Sequence, residues 1–210
     1  MQDIQKISAI KEWLGTGSIN IFGRPFAGKD THGRELAALF NASLLGGGDI
    51  LRNSVIPEHA KEYMRAGKLI PINDYINIVL PYLSREEFAG RPLILSSVGR
   101  WHGEENGVLE ATEQAGHPVK AVLYLDLDEP VVRERWSQTH YLGERGERHD
   151  DTEEVLEVRL EEYRNKTLSV IDFYKTTGLL ITIDSTLEKT RVLENIIDAL
   201  YQLATQEAKS

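Results

Sequence analysis

The chain has 210 residues, a formal net charge of −9 at pH 7 and no cysteine. This length fits one domain with a full hydrophobic core, and the acidic balance argues against a protein that binds nucleic acid or an anionic membrane. Without cysteine there is no disulfide framework and no thiolate zinc site. No apolar run is long enough to span a membrane and no signal-peptide pattern follows Met1, so we expect a cytoplasmic protein and, by default, a monomer.

Predicted helices and strands alternate along the chain. Apolar positions at helical spacing predict an extra N-terminal helix within residues 1–17, and further helices are expected over 30–40 and 187–204. Short runs of apolar residues predict strands over 18–22, 91–96, 119–125 and 179–183, and another apolar segment covers 42–45. This alternation is typical of an α/β fold whose parallel sheet is covered by helices on both faces, with ligands bound beyond the carboxyl ends of the strands.

The segment from Ser18 to Thr31 has the order of a phosphate-binding loop. A predicted strand leads into a glycine-bounded loop, a lysine follows at once, and a helix begins directly after it. Glycines allow backbone N–H groups to approach phosphate oxygens, the helix N-terminus adds free donors, and the lysine bridges terminal phosphates. The alternative is an ordinary structural turn. We expect nucleotide phosphates to bind at Gly23, Arg24, Pro25, Phe26, Ala27, Gly28, Lys29, Asp30 and Thr31.

Six arginines lie at predicted strand ends, in loops and on the helices that follow them. Taken singly, each fits a solvated surface residue. Taken together, they occupy the places from which a phosphate cleft is reached, and transfer between two polyanions needs planar, bidentate cations of this kind. They are Arg52, Arg100, Arg135, Arg145, Arg148 and Arg159.

Several segments fall in one recognisable order over nearly the whole chain. After the phosphate loop come Gly48-Asp-Ile-Leu-Arg52, Met64-Arg-Ala-Gly67-Lys-Leu-Ile-Pro71, Arg100 after a strand, Asp126 with Arg135, and Arg148-His-Asp-Asp151 with Arg159. Asp172-Phe-Tyr174 and Ile181-Thr-Ile-Asp184 complete the series. This order resembles the adenylate kinases, or more broadly the nucleoside monophosphate kinases, and only about the first seventeen residues fall outside the resemblance.

The resemblance implies a P-loop fold of three layers, α/β/α, around a central, mainly parallel five-stranded sheet. It also implies a helical monophosphate-binding insertion over residues 47–82 and a short lid over 138–150. The substrates would be ATP with Mg²⁺ and a nucleoside monophosphate. The implied catalytic residues are Lys29, Arg100, Arg135, Arg148 and Arg159; Arg135 and Arg145 would add to the ATP site, and Gly47, Arg52, Gly99, Arg100, Glu104, Arg148 and Arg159 would bind the monophosphate.

One departure from the family pattern concerns magnesium. Family members usually carry an aspartate, which supports the magnesium shell, where this chain has Ser96. Asp30, next to the phosphate-loop lysine, stands where relatives often have glycine. One hypothesis is that Asp30 replaces the missing carboxylate as a magnesium ligand, directly or through water. The alternative is that Asp30 only favours the positive N-terminus of its helix.

A second departure concerns the acceptor base. Family members that prefer AMP usually have a hydroxyl residue at the position of Gly47 and a glutamine at the position of Glu104. A carboxylate can accept a hydrogen bond from the adenine amino group but cannot also donate one. AMP is the expected acceptor, with UMP, CMP or dAMP as alternatives. The alternative outside the enzymes is a protein that binds ATP without catalysis. Ser96, in place of the usual aspartate, favours this alternative, whereas the presence of the other expected arginines argues against it.

Overall fold

A central sheet organises the computed structural model, which describes residues 2–142 and 152–208. Within them, five strands pair in the order β2-β3-β1-β4-β5, and every pair is parallel. The α/β prediction is therefore confirmed. The strands are β1 (Ser18–Gly23), β2 (Ser43–Gly46), β3 (Leu93–Ser96), β4 (Val119–Asp126) and β5 (Leu180–Asp184).

Helices connect these strands and cover both faces of the sheet, as the sequence predicts for parallel strands. Along β1, Ile19 and Ile21 pack into one buried apolar cluster, whereas the neighbouring Phe22 packs into another on the opposite face. The helices are α1 (Gln2–Leu14), α2 (Lys29–Phe40), α3 (Gly47–Arg52), α4 (Glu58–Arg65), α5 (Ile72–Tyr82), α6 (Glu105–Gln114), α7 (Glu129–Leu142), α8 (Glu153–Glu162), α9 (Leu168–Thr176) and α10 (Lys189–Glu207), with a π-helical turn over Tyr163–Thr167.

The N-terminal helix packs on the core. In α1, Ile10 and Leu14 are buried in the same cluster as the apolar face of α10. At the far end of that contact, the indole Nε1 of Trp13 donates a hydrogen bond to Glu207 at 2.8 Å. Among the residues that the structure describes, none of α1 lines the cleft described below, and the helix covers apolar surface of the core.

Residues 47–82 fold into α3, α4 and α5 beside the edge of the sheet. Their apolar side chains, Ile50, Ala60 and Val79 among them, form one cluster with Leu93 and Leu95 of β3. The carboxyl end of β3 therefore faces this helical unit. The predicted lid lies mostly outside the described residues, and with it Arg145 and Arg148. Among the helices that are described, none is both long enough and apolar enough to cross a membrane.

Candidate active site

The predicted phosphate loop lies between the end of β1 and the start of α2. Every residue of β1 is buried, and the strand ends at Gly23, where a Cβ would lie only 2.7 Å from the carbonyl oxygen of Leu125. Phe26 has a φ of 62° and Gly28 a φ of 91°, so the loop turns twice through the left-handed region. No side chain caps α2, which leaves its first N–H groups available to an anion.

Lys29 lies across this loop. Its Nζ donates hydrogen bonds to the carbonyl oxygens of Gly23 at 2.9 Å and Arg24 at 2.7 Å. The lysine therefore holds a positive charge at the loop from which α2 begins. Both carbonyl partners are neutral, so an anionic ligand would be a stronger partner for the ammonium group than either of them.

Two residues from distant parts of the chain brace the loop. On α7, the guanidinium of Arg135 donates to the carbonyl oxygen of Phe26 at 3.2 Å and to that of Ser185 at 2.7 Å. The hydroxyl of Ser185 in turn donates to the carbonyl oxygen of Ala27 at 2.7 Å. Arg135 thus lies against the phosphate loop, although it does not line the main cleft.

Arg24 behaves differently from the other residues of the loop. Its guanidinium donates to the carbonyl oxygen of Leu127 at 2.9 Å and lies 5.1 Å from the centre of the Tyr163 ring. The side chain is therefore already engaged with the residue that follows β4 and with the π-helical turn. Its backbone N–H is the part that remains suited to phosphate binding. Of the other predicted loop residues, Pro25 and Phe26 line the cleft, Ala27 is buried, and Gly28 and Thr31 are partly exposed.

One cleft joins the phosphate loop to the helical insertion. Its walls bring together three of the predicted arginines, each from a separate element: Arg52 at the end of α3, Arg100 after β3, and Arg159 on α8. Lys29 and Asp30 lie in the same cleft, and so do Gly47 and Glu104. The tertiary structure therefore places the two halves of the predicted site side by side.

Arg100 has the most unusual environment of the three. It is only partly exposed, and burial lowers the pKa of its guanidinium. No carboxylate of the described residues lies within ion-pair distance of it. A desolvated cation without a counter-ion is unfavourable in a folded protein unless a ligand supplies the anion. Arg100 is thus well suited to hold a phosphate.

The other two arginines are held by different means. Arg52 is exposed and forms an ion pair with Asp49 at 2.6 Å; a pair of this kind is worth about 0–1 kcal/mol, so a phosphate can displace it. Arg159 reaches the cleft because α8 packs closely on the insertion. A Cβ at Gly67 would lie 3.0 Å from the Val155 side chain, and the φ of Gly67 is 74°, so another residue at this contact would be both crowded and strained.

The loop that carries Arg100 is fixed by two residues that sequence reasoning missed. Asn20, buried inside β1, donates to the carbonyl oxygen of Val98 at 2.7 Å and accepts from its N–H at 3.3 Å. The hydroxyl of Tyr75 accepts from the N–H of Gly99 at 2.7 Å. An asparagine between the two isoleucines of β1 was the available signal, because a buried amide needs partners.

Replacing Asn20 with leucine is expected to raise the KM for the predicted monophosphate acceptor by about 5- to 10-fold, while the KM for the nucleotide bound at the phosphate loop changes little. The two Val98 backbone groups would lose their partners, and the loop that places Arg100 would loosen. Ser18→Ala is the matched control, since Ser18 is also buried in β1 but donates to the carbonyl oxygen of His117, remote from the cleft. Equal KM changes for both substrates, or the same change in Ser18→Ala, would argue against a positioning role.

Comparison with known proteins agrees with this geometry. A family model described as "Adenylate kinase" matches residues 21–179. The chain belongs to the adenylate kinase family. Three similar relatives are named adenylate kinase: one from Methanosarcina mazei, 28% identical over 89% of this chain and 100% of its own length; one from Clostridium tetani, 27% over 87% and 98%; and one from Caldicellulosiruptor bescii, 29% over 86% and 97%.

The two residues that depart from the family pattern near the expected magnesium site, Asp30 and Ser96, contact one another. The hydroxyl of Ser96, at the end of β3, donates a hydrogen bond to Oδ1 of Asp30 at 3.0 Å. The exposed carboxylate of Asp30 therefore lies next to the position from which most adenylate kinases project an aspartate. Hydroxyl and carboxylate oxygens fit the ligand preference of magnesium. The pair of substitutions moves a carboxylate from β3 to α2 while keeping it in the cleft.

Proposed function

We propose that this protein catalyses reversible transfer of the γ-phosphoryl group from ATP to AMP, giving two molecules of ADP. The observation that carries the proposal is the single cleft in which Lys29 faces Arg52, Arg100 and Arg159. A protein that only binds ATP needs the phosphate loop, but it has no use for a desolvated arginine after β3 that no carboxylate of the described residues pairs with. Two phosphate-binding regions in one cleft are the arrangement required for transfer between two nucleotides.

In this mechanism no protein group forms a covalent bond to phosphorus. Lys29 and the loop N–H groups hold the phosphates of ATP, and Arg52 and Arg100 hold the phosphate of AMP, so that an AMP oxygen attacks the γ-phosphorus in line. Arg159 stabilises the charge of the group in transfer, with Arg148 of the lid as its proposed partner. Arg135 braces the loop that holds ATP, and Arg145, which lies outside the described residues, is proposed to bind ATP as well.

Asp30 and Ser96 are the residues that would hold magnesium in this chain. The ion neutralises phosphate charge when it is bound with ATP. Asp30 adds the negative charge that Ser96 lacks, and the Ser96 hydroxyl orients the carboxylate.

Replacing Asp30 with asparagine is expected to raise the magnesium concentration needed for half-maximal turnover by about 10- to 100-fold, the range seen when groups around a bound metal are removed. The change keeps the shape of the side chain and removes its charge. Turnover measured against free magnesium, with ATP saturating, checks the prediction. Glu35→Gln, on the same helix, is the charge-matched control.

The double variant Asp30→Gly with Ser96→Asp returns the carboxylate to the position usual in the family. We expect it to recover a large part of the magnesium dependence lost in Asp30→Asn. If Asp30→Asn shows an unchanged dependence on magnesium, Asp30 has only the local role of an acidic residue at a helix N-terminus.

Formation of ADP from MgATP with AMP, UMP, CMP, GMP and dAMP in turn, and without an acceptor, tests the function as a whole. Turnover that requires AMP supports the proposal. Turnover with UMP, CMP or dAMP alone would assign the chain to another monophosphate. Binding of ATP without turnover on any acceptor would favour the non-catalytic module, which Ser96 in place of the usual aspartate suggests.

We further propose that the protein acts as a cytoplasmic monomer whose partners are small nucleotides. The lack of cysteine agrees with a reducing compartment, and the net charge of −9 disfavours nucleic acid as a partner. Sedimentation of the purified chain with and without nucleotide tests the monomer.

A further inference from the structure

A buried carboxyl group forms part of the acceptor side of the cleft. Glu104 precedes α6, is only 3% exposed, and lines the cleft with Arg100 and Gly47. Its carboxyl accepts a hydrogen bond from the backbone N–H of Trp101 at 3.0 Å and a second from the N–H of Arg100. No described cation forms an ion pair with it. A carboxyl group in this setting can meet a ligand either ionised or protonated.

A hydroxyl group stands on the same side of the cleft. The oxygen of Tyr75 accepts a hydrogen bond from the N–H of Gly99, and no residue in the described ranges accepts its proton. The hydroxyl lies close to Gly47, since a Cβ at that position would be 3.4 Å from it. It therefore occupies the space beside the position at which AMP-preferring relatives carry a hydroxyl residue. Tyr75 is left with one donor to offer a ligand.

Purine bases differ in the pattern that these two groups can bind. Adenine presents an amino donor next to a ring-nitrogen acceptor, whereas guanine presents two adjacent N–H donors next to a carbonyl acceptor. A protonated carboxyl group has one donor and one acceptor and complements adenine. An ionised carboxylate only accepts and complements the two guanine donors. The Tyr75 hydroxyl can donate to a ring nitrogen of adenine or to the guanine carbonyl oxygen.

We propose that the protonation state of Glu104 selects the acceptor base, so that the protonated enzyme takes AMP and the ionised enzyme takes GMP. This inference rests on the proposed function, because it assigns the acceptor side of the same cleft. It adds a second acceptor, a guanine nucleotide, and a dependence of the selectivity on pH.

Both protonation states are accessible near neutrality. Burial raises the pKa of Glu104 to about 7; the nearby Arg100 guanidinium opposes this rise and Glu105 on the same helix adds to it. The two tyrosines that face Glu104 from other helices, Tyr75 on α5 and Tyr174 on α9, have pKa values raised by burial and stay neutral throughout this range. Glu104 is therefore the group of this set that titrates around pH 7.

The sign of the effect follows from which form each base prefers. AMP binds the protonated form, so its affinity falls as pH rises through 7 and its binding takes up a proton above that pH. GMP binds the ionised form, so its affinity falls as pH decreases and its binding releases a proton. From about pH 6 to about pH 8 each affinity changes by up to about 10-fold, and the AMP-to-GMP affinity ratio falls by up to about 100-fold.

Calorimetric titration of the full chain with AMP and with GMP, at both pH values and in buffers of different ionisation enthalpy, tests the proposal. The same ratio is measured from kcat/KM with saturating MgATP. Taking the ratio of the two acceptors cancels the titration of the phosphate itself, which both nucleotides share. The Glu104→Gln variant, fixed as one donor and one acceptor, is expected to retain AMP, lose GMP and show no change of the ratio with pH.

Glu110→Gln, an exposed change on the same helix, is the control and should keep the pH dependence of the unaltered chain. A ratio that does not change with pH, or that changes equally in Glu104→Gln, would overturn the inference even if AMP is turned over rapidly. Failure of the proposed function gives a distinct result, namely no turnover with any acceptor, and the binding measurements still decide the role of Glu104 in that case.

Discussion

Replacing Lys29 with alanine is expected to lower kcat by about 1,000-fold or more, the scale of losing one preorganised charge that acts on the transition state. Lys29 is the lysine of the phosphate loop, and its Nζ donates hydrogen bonds to the neutral carbonyl oxygens of Gly23 and Arg24. When ATP binds, this ammonium group is the one positioned to follow the charge that develops between the β- and γ-phosphates. The rate of ADP formation at saturating substrates measures the loss.

The fold should survive this change. The carbonyl oxygens that Lys29 contacts lie at the cleft, where water can replace the ammonium group, and the loop keeps its braces from Arg135 and Ser185. We therefore expect a melting temperature within a few degrees of the original, since about 1 kcal/mol shifts the midpoint of a chain of this size by roughly 2–4 °C. Lys29→Arg should not rescue turnover, because a planar guanidinium does not reproduce a compact ammonium group.

Lys189→Ala is the control, because Lys189 is also the first residue of a helix but is exposed. Near-normal turnover in Lys29→Ala would exclude the proposed mechanism. An equal loss in Lys189→Ala would point to general electrostatics rather than to a specific contact with phosphate.

Replacing Arg100 with alanine is expected to weaken AMP binding by about 100-fold or more and ATP binding by no more than about 2-fold. Hydrogen-bonded ion pairs with a buried partner are worth about 2–5 kcal/mol on truncation, and Arg100 offers two donors in one plane to a phosphate. Arg100 follows β3, on the acceptor side of the cleft, whereas the ATP phosphates are expected at the loop after β1. Equilibrium binding of each nucleotide separately checks the difference.

Stability provides a second, independent readout for Arg100. Its guanidinium is desolvated, and none of the described carboxylates pairs with it, so removing it takes an unfavourable charge out of the folded state. The free energy of unfolding without ligand is expected to stay the same or increase in Arg100→Ala. A purely structural arginine would give the opposite sign. Arg85→Ala, a surface change, is the control, and equal losses of AMP and ATP binding would contradict the assignment of Arg100 to the acceptor.

The phosphate loop illustrates what local sequence can predict. The strand, the glycine-bounded loop, the lysine and the helix are contiguous, and each depends on rules that act over a few residues: burial of β-branched residues, φ values open to glycine, and helix propensity. The structure has β1, the loop and α2 in that order. The alternation of strands and helices likewise predicts a parallel sheet, since parallel strands need crossover connections.

The contacts that connect distant segments were beyond the reach of sequence reasoning. Asn20 and Val98 are in contact because β1 and β3 are neighbours in the sheet, although β2 lies between them in the sequence. The sequence suggested Asp30 as a substitute for the carboxylate missing at position 96, but only the packing of α2 beside β3 brings the Ser96 hydroxyl to it. No local pattern in the sequence indicated a role for Tyr75. A tyrosine in an amphipathic helix fits a core position equally well whether or not its hydroxyl reaches a cleft.

By itself, the sequence of this protein determined the fold class, and it predicted the phosphate loop and the set of arginines, because these depend on local patterns and on the charge of the ligand. The tertiary structure decided which arginine of the cleft has no ion pair with a described carboxylate, which buried groups hold its loop, and how far burial shifts the pKa of Glu104. Those properties depend on which atoms exclude water around a group. That exclusion is produced by segments 24 to 78 residues apart, which are brought together only when the sheet forms.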